Sequence, residues 1–300
     1  MSSTKRLLSL AALIIAVLAA KAPASAQDAA PQPTATPSLL DRQYDGNLHV
    51  TLAPYLWLPT MNSEFTYSVP GLRRLHGPGA TISGNTSVGP SQYLANLNSA
   101  AMFAVDARKG NFDIFADYIY VNLSASAATS VTITGPRGRL QIPARFSTDA
   151  RLASSIWEAA AGYTVARGHN ADLSVFWGIR SLPANLTLGY NATVGRRGLI
   201  APSGTISNSS YLSSTIFGLR GKAFLGDSRW FVPYYADIGS SINQIGNTTW
   251  EAYSGLGYGF NHGQTLLVTY RSLNYNDFPP DRLIQKLDLH GPLLGYTFNL

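Results

Sequence analysis

The stretch NFDIFADYIYVNL, residues 111–123, restricts the fold more than any other feature of this chain. Read with a period of two, Phe112, Ile114, Ala116, Tyr118 and Tyr120 make one apolar face, and Asp113, Phe115 and Asp117 share the other. A helical period fails, because Phe112, Ile114, Phe115, Tyr118 and Ile119 would wrap most of the circumference. β-Branched and aromatic content agrees with a strand. The surroundings must therefore cover one greasy face while the carboxylates opposite stay charged.

The same alternation recurs along the chain. Leu97, Ala101, Phe103 and Val105 oppose Asn98, Met102, Asp106 and Arg108; Trp157, Ala159, Ala161 and Tyr163 oppose Glu158 and Gly162; Leu173, Val175, Trp177 and Ile179 oppose Asp172, Gly178 and Arg180. Further on, Phe217, Leu219 and Ala223 oppose Gly218, Arg220 and Lys222; Trp230, Ala236 and Ile238 oppose Asp237; Trp250, Leu256 and Tyr258 oppose Glu251, Gly255 and Gly257; Val268 and Tyr270 oppose Arg271. The segments reach the ten or so residues that a tilted strand needs to cross a bilayer, whereas soluble strands average about five or six.

Composition separates this reading from a soluble sandwich. Charged residues are 13% of the chain, against roughly a quarter in soluble domains. There are sixteen Tyr and twelve Phe, placed near many segment ends as interfacial girdles require. The absence of cysteine excludes a disulfide-stapled fold and thiolate metal sites. Lys5 and Arg6, the apolar run Leu7 to Ala20 and the small residues Ala24-Ser25-Ala26 read as a secretory signal peptide over 1–26. Residues 27–46, rich in Ala, Pro, Thr and Gln, read as a flexible leader, and 47–300 as one domain. Taking away Lys5, Arg6 and Lys21 leaves 19 basic side chains against 16 acidic, which gives no nucleic-acid footprint.

Connections alternate in length. RKGN at 108–111, ARGHN at 166–170, LGDS at 225–228 and NHGQ at 261–264 are tight; 59–95, 125–150 and 183–210 are long and polar, with shorter stretches near 243–247 and 276–284. Short periplasmic turns and long extracellular loops alternate this way in transmembrane antiparallel β-barrels. An opening strand at 48–58 and a closing one near 286–300 bring the count to about ten, with eight or twelve as the neighbouring even solutions. In the closing strand Asp288 and His290 share parity with Leu294, Tyr296 and Phe298, so a bulge at Gly291-Pro292 is expected to turn the first two inward.

TLAPYLWLPTMNSEF, FADYIYVNLS, YADIG, TTWEAYSGLGYGF, VTYRSLNY and HGPLLGYTFNL together resemble a broad group of poorly characterised outer-membrane β-barrel proteins of Gram-negative bacteria. The resemblance covers roughly 48–300 and implies an outer-membrane location, lipid and lipopolysaccharide as surroundings and the barrel-assembly machinery as a partner. That group supplies no shared catalytic motif.

The lumen-facing charges are then Asp113, Asp117, Glu158, Arg180, Arg220, Lys222, Asp237, Glu251, Arg271 and Asp288. Hairpin geometry pairs Glu158 with Arg180, Arg220 with Asp237, and Arg271 with Asp288. Ten strands enclose a narrow bore, and the lumenal glycines leave room for long cationic side chains to fill it. The expected function is non-enzymatic: a structural barrel or a narrow small-solute pore. A binding or adhesion role for the outer loops is the alternative, and a barrel hydrolase using Asp288-x-His290 the third. GLGYG at 255–259 lies within a strand and His49, His76, His169 and His262 lack metal-ligand spacing, so no cofactor or metal is expected.

Overall fold

The computed structural model describes residues 40–68, 81–134, 141–194, 199–200, 204–242, 248–260, 263–276 and 284–300. The signal peptide and most of the leader expected from the sequence lie outside these. The strands are β1 (Leu48–Trp57), β2 (Thr60–Ser68), β3 (Thr81–Val88), β4 (Leu97–Lys109), β5 (Phe112–Thr134), β6 (Gln141–Arg167), β7 (Ala171–Val194), β8 (Leu199–Ile200), β9 (Gly204–Phe224), β10 (Trp230–Ser241), β11 (Thr248–Gly259), β12 (Thr265–Asn276) and β13 (Ile284–Asn299).

Ten of these close a barrel. β1 pairs with β4, the ladder runs antiparallel through β5, β6, β7, β9, β10, β11, β12 and β13, and β13 pairs back onto β1. No sheet edge is left around the closed section, which removes the liability of an unpaired strand. Tight connections follow β4, β6 and β9, and Gly110, Gly226 and Gly263 take positive φ of 58°, 63° and 76° in the turns, a region open to glycine at little cost.

The outward faces are apolar. Phe112, Ile114, Trp177, Phe217, Ile238 and Val268 are all more than half exposed, while their strand neighbours Asp113, Phe176, Gly178, Asp237 and Thr269 are buried. The alternation read from the sequence thus becomes a barrel with apolar walls outside and charges inside, the arrangement that only a surrounding lipid phase stabilises.

The long polar connections are themselves largely strand. β5, β6, β7 and β9 run to 23, 27, 24 and 21 residues, about twice what a bilayer crossing needs. β4 stops pairing with β5 at Leu123, beyond which β5 continues on β6 alone. β2 and β3 form a further hairpin seated on β13. Because β10, β11 and β12 have only 12 residues each, the wall is tall on one side and low on the other.

The expected bulge at Gly291-Pro292 is not there. β13 keeps one register on β12 from Thr265↔Thr297 to Tyr275↔Leu287. Leu289, Gly291 and Gly295 are buried, and Leu287 and Leu293 pack on a buried apolar cluster. Asp288 and His290 therefore face outward, and Asp288 is not a lumenal residue. The physical reason lies in height: this end of β13 stands beyond the apolar belt, where the bore is apolar and the outer wall is polar, so unchanged parity produces an inverted polarity.

Candidate lumenal site

Two apolar layers and two ionic layers fill the bore. Toward the long-hairpin end, Trp57, Ile119, Ile156, Leu182, Leu212, Leu273, Tyr275 and Leu289 form one cluster, none more than 8% exposed. Below it, Phe115, Ala160, Phe176, Ile216 and Tyr235 form a second. Phe176, Tyr235 and Tyr253 stack in sequence, with centroid separations of 5.1 and 4.9 Å. These residues lie on the inward parity of their strands; the sequence places Phe115 there beside Asp113 and Asp117, and most of the others carry nothing that marks them as lumenal.

The upper ionic layer centres on Arg180, which is fully buried. Its Nε donates to Glu158 Oε2 at 2.9 Å and its Nη2 to the same oxygen at 2.6 Å. Nη1 donates to Asp237 Oδ1 at 3.0 Å, Nη2 also reaches Asp237, and Glu251 Oε2 is 3.0 Å from Nη2. Tyr235 donates to Glu158 Oε1 at 2.6 Å. Glu158 is directly across from Arg180 in the ladder, so the expected hairpin pair is present. Asp237 reaches Arg180 from β10 past β9, where Ser214 faces Arg180 and Gly218 faces Asp237 and neither fills the gap. The three carboxylates lie close enough together to suit a cation, and the guanidinium takes that place.

Arg271 continues the layer. Its Nε is 2.7 Å from Glu251 Oε1, its Nη1 is 2.7 Å from Asp117 Oδ2, and Tyr55 donates to Asp117 Oδ1 at 2.5 Å. Its guanidinium also lies over Trp57, 4.9 Å from the ring centroid. The pair expected between Arg271 and Asp288 does not form: Gly291 is opposite Arg271, and Asp288 is outside.

The lower layer joins Arg220 to Asp106 and to Asp113, the latter at 2.5 Å, with the guanidinium 3.9 Å above the Phe115 ring. Arg108 Nη2 stands 3.4 Å from Asp113 Oδ1. The Arg220–Asp237 pair expected from the turn is absent, because Tyr235 is the residue opposite Arg220. Gly162 faces Asp113 in the ladder, and a Cβ there would come within 2.8 Å of its carboxylate. The space that glycine leaves is thus taken up by an acid, not by the long cations expected.

The end with short turns carries residues the sequence did not reveal. A 3-10 turn at Asp41–Tyr44, from the stretch read as leader, lies in this mouth. Tyr44 donates to Asp172 Oδ2 at 2.5 Å and accepts from Arg108 Nη1 at 2.6 Å, and Lys222 Nζ donates to Gln43. Burial, then the Asp172 carboxylate, push the Tyr44 hydroxyl above the usual phenol range, so it stays a neutral donor. Lys222 lines the cavity at this mouth and rests near the Phe224 and Phe231 rings. A cavity of about 220 Å³ lies behind this turn, and a second of about 190 Å³ shares Asp106, Arg220 and Tyr253 with it and ends at Asp117, Glu158 and Glu251.

Outside the barrel, His290 Nδ1 stands 3.6 Å from Asp288 Oδ1, both side chains one-third exposed. Neither lines the lumen.

No protein-family model and no curated protein matches the chain. Among solved structures, the outer-membrane protease OmpT of Escherichia coli is similar over 85% of this chain and 98% of its own, at 9% identity and a TM-score of 0.45. The translocator domain of the autotransporter NalP of Neisseria meningitidis gives 14% identity, 87% and 92% coverage and 0.37; the Pseudomonas putida toluene transporter TodX gives 11%, 88% and 92%, and 0.28. The strand register establishes the architecture without them, and no residue role is carried over. Ten antiparallel strands closed on themselves, with an apolar belt outside and paired charges within, make this chain a β-barrel of the bacterial outer membrane.

Proposed function

We propose that the barrel is non-enzymatic and that its lumen is closed to solutes, serving as a braced support for the tall wall it carries. The observation behind this reading is the stack of buried layers: Arg180 and the Trp57–Leu273–Tyr275 cluster are each at or near zero exposure within the bore. An open pore of the porin kind needs many more strands and a wet lumen. The charges are matched to one another across the bore rather than displayed as rings of one sign, so they brace the wall. Lipid around the apolar belt, lipopolysaccharide at its upper rim and the barrel-assembly machinery are the partners that this reading requires.

Planar-bilayer recording tests it. The wild-type protein is expected to give no steady conductance, and Arg180→Ser with Arg271→Ser little more, since the apolar cluster still closes the bore. Adding Trp57→Ala and Tyr275→Ala to those two should produce discrete openings. Steady ohmic conductance from the wild-type chain overturns the closed-lumen reading.

A second reading has its own observation. The 21- to 27-residue strands β5, β6, β7 and β9 raise a wall well past the bilayer, with exposed Ser and Ala at positions such as Ser126 and Ala125. Such a wall suits binding at the cell surface. Deletion of 127–148, leaving the crossing part of β5 and β6, should abolish binding to any surface partner while the barrel still folds.

A further inference from the structure

Asp172 on β7 and Lys222 on β9 are direct cross-strand partners of opposite charge, a placement that normally yields an ion pair. Their charged groups are not paired with each other. Asp172 accepts from the Tyr44 hydroxyl at 2.5 Å and from the backbone N–H of Lys222 at 2.9 Å, while the Lys222 amine donates to Gln43. Two residues of the N-terminal turn thus stand where the strand register makes an ion pair available.

We propose that Asp41–Tyr44 is an exchangeable stopper of the short-turn mouth: it docks between Asp172 and Lys222 and withdraws as those two close on each other. Both states satisfy both charges. Withdrawal leaves no orphaned charge, which would otherwise hold the segment in place. Tyr44 is the specific part of the lock, since its single proton goes to Asp172, its oxygen accepts from Arg108, and the Arg108 and Arg167 guanidiniums lie 4.9 and 4.8 Å from its ring centroid. Gln43 forms part of the lining of the 220 Å³ cavity. Withdrawal therefore opens a polar vestibule that ends at the Asp117, Glu158 and Glu251 carboxylates. The stopper does not depend on whether the lumen conducts, because the contacts of Tyr44 and Gln43 with Asp172, Arg108 and Lys222 at this mouth are the same in either case.

A chain without cysteine allows a clean test. A single Leu40→Cys, at a fully buried position beside the turn, is alkylated with a maleimide-polyethylene glycol in detergent, with heat-modifiable migration confirming an intact barrel. Tyr44→Phe removes a hydrogen bond to a charged group and is expected to speed labelling roughly ten- to a hundredfold. Lys222→Met separates the two possible roles of the lysine. As a mere anchor for Gln43, its loss would release the segment and speed labelling. As the closing partner of Asp172, its loss strips the withdrawn state of its ion pair and slows labelling roughly tenfold. Lys222→Arg should restore the parent rate, and Lys222→Gln reads the same sign should the Met variant fail to fold. Faster labelling in Lys222→Met or Lys222→Gln, or an unchanged rate in Tyr44→Phe, overturns the proposal.

Discussion

Arg180→Met tests the bracing of the lumen most directly. The side chain fits the volume but removes the one cation shared by Glu158, Asp237 and Glu251. Glu251 keeps Arg271 at 2.7 Å, and Glu158 keeps the Tyr235 hydroxyl at 2.6 Å. Asp237 keeps no cation among the described residues and shares the single Tyr235 hydroxyl with Glu158. Breaking a buried pair by removing one partner costs about 3–5 kcal/mol, and two carboxylates losing their only cation put this variant in the upper part of that range. Arg180→Lys should recover a fraction only, because a point charge cannot span acids that the planar fork reaches from three sides. The assay is reversible guanidinium unfolding in detergent, followed by tryptophan fluorescence and by heat-modifiable migration. A combined Arg180→Met, Glu158→Gln, Asp237→Asn variant should regain most of the loss, since neutral amides need no counter-charge. A loss below about 1 kcal/mol in Arg180→Met, or no recovery in the triple variant, would refute the view that uncompensated charge, and not lost packing, sets the cost.

Glu158→Gln alone should cost less, about 1–3 kcal/mol, because Arg180 retains Asp237 and Glu251, and its effect should be non-additive with Arg180→Met in the same titration. Gly257→Val drives a branched side chain into the Phe231 ring and should destabilise by about 1–3 kcal/mol, with restoration by Phe231→Ala. Asp45 is held at about 2, below its ordinary 3.8, first by the hydrogen bond to His49 and next by Asn47. A depressed carboxylate stabilises fully above 3.8 and loses that contribution as the pH falls through about 2. Carbon-detected NMR should show the midpoint climbing toward 3.8 in His49→Ala, and an unmoved midpoint would remove His49 as the cause.

The crossing part of the fold was legible because lipid imposes one rule on every strand. Phe112 and Ile114 outside, Asp113 inside, then the same for Trp177 against Arg180 and Ile238 against Asp237, leave a single solution for parity. Above the belt the rule lapses. SASAATSVTIT at 124–134 keeps the alternation only weakly, with Ala125 and Ala127 carrying it before Val131 and Ile133, so its Ser, Ala and Thr content reads as a polar loop, yet it pairs as strand with β6 once the hairpin below has fixed the register. The same loss of a rule misplaced Asp288. A bulge at Gly291-Pro292 was needed only if charge always points inward, and Leu287, Leu289 and Leu293 in the upper apolar layer remove that need.

Ion pairing was half legible for a geometric reason. A hairpin turn sets which residues are adjacent on neighbouring strands, and Glu158–Arg180 is such a case. The β9–β10 ladder, closed by the Leu225 N–H donating to the Trp230 carbonyl, runs two positions out of the register that an Arg220–Asp237 pair needs, which keeps every face while changing every partner, so Arg220 meets Tyr235. A guanidinium at the end of a long stem is freed from the hairpin altogether. Arg220 on β9 reaches Asp106 and Asp113 on β4 and β5, and Arg271 on β12 reaches Asp117 on β5, so these contacts tie strands that are distant around the wall. Neighbouring strands are already held by their backbone ladder, and a charge pair between them adds little to closure. Pairs that cross the bore resist its ovalisation, which no ladder hydrogen bond does, and the mixture of signs follows from that role: a brace needs opposite charges on opposite walls, whereas a selective pore needs one sign all round.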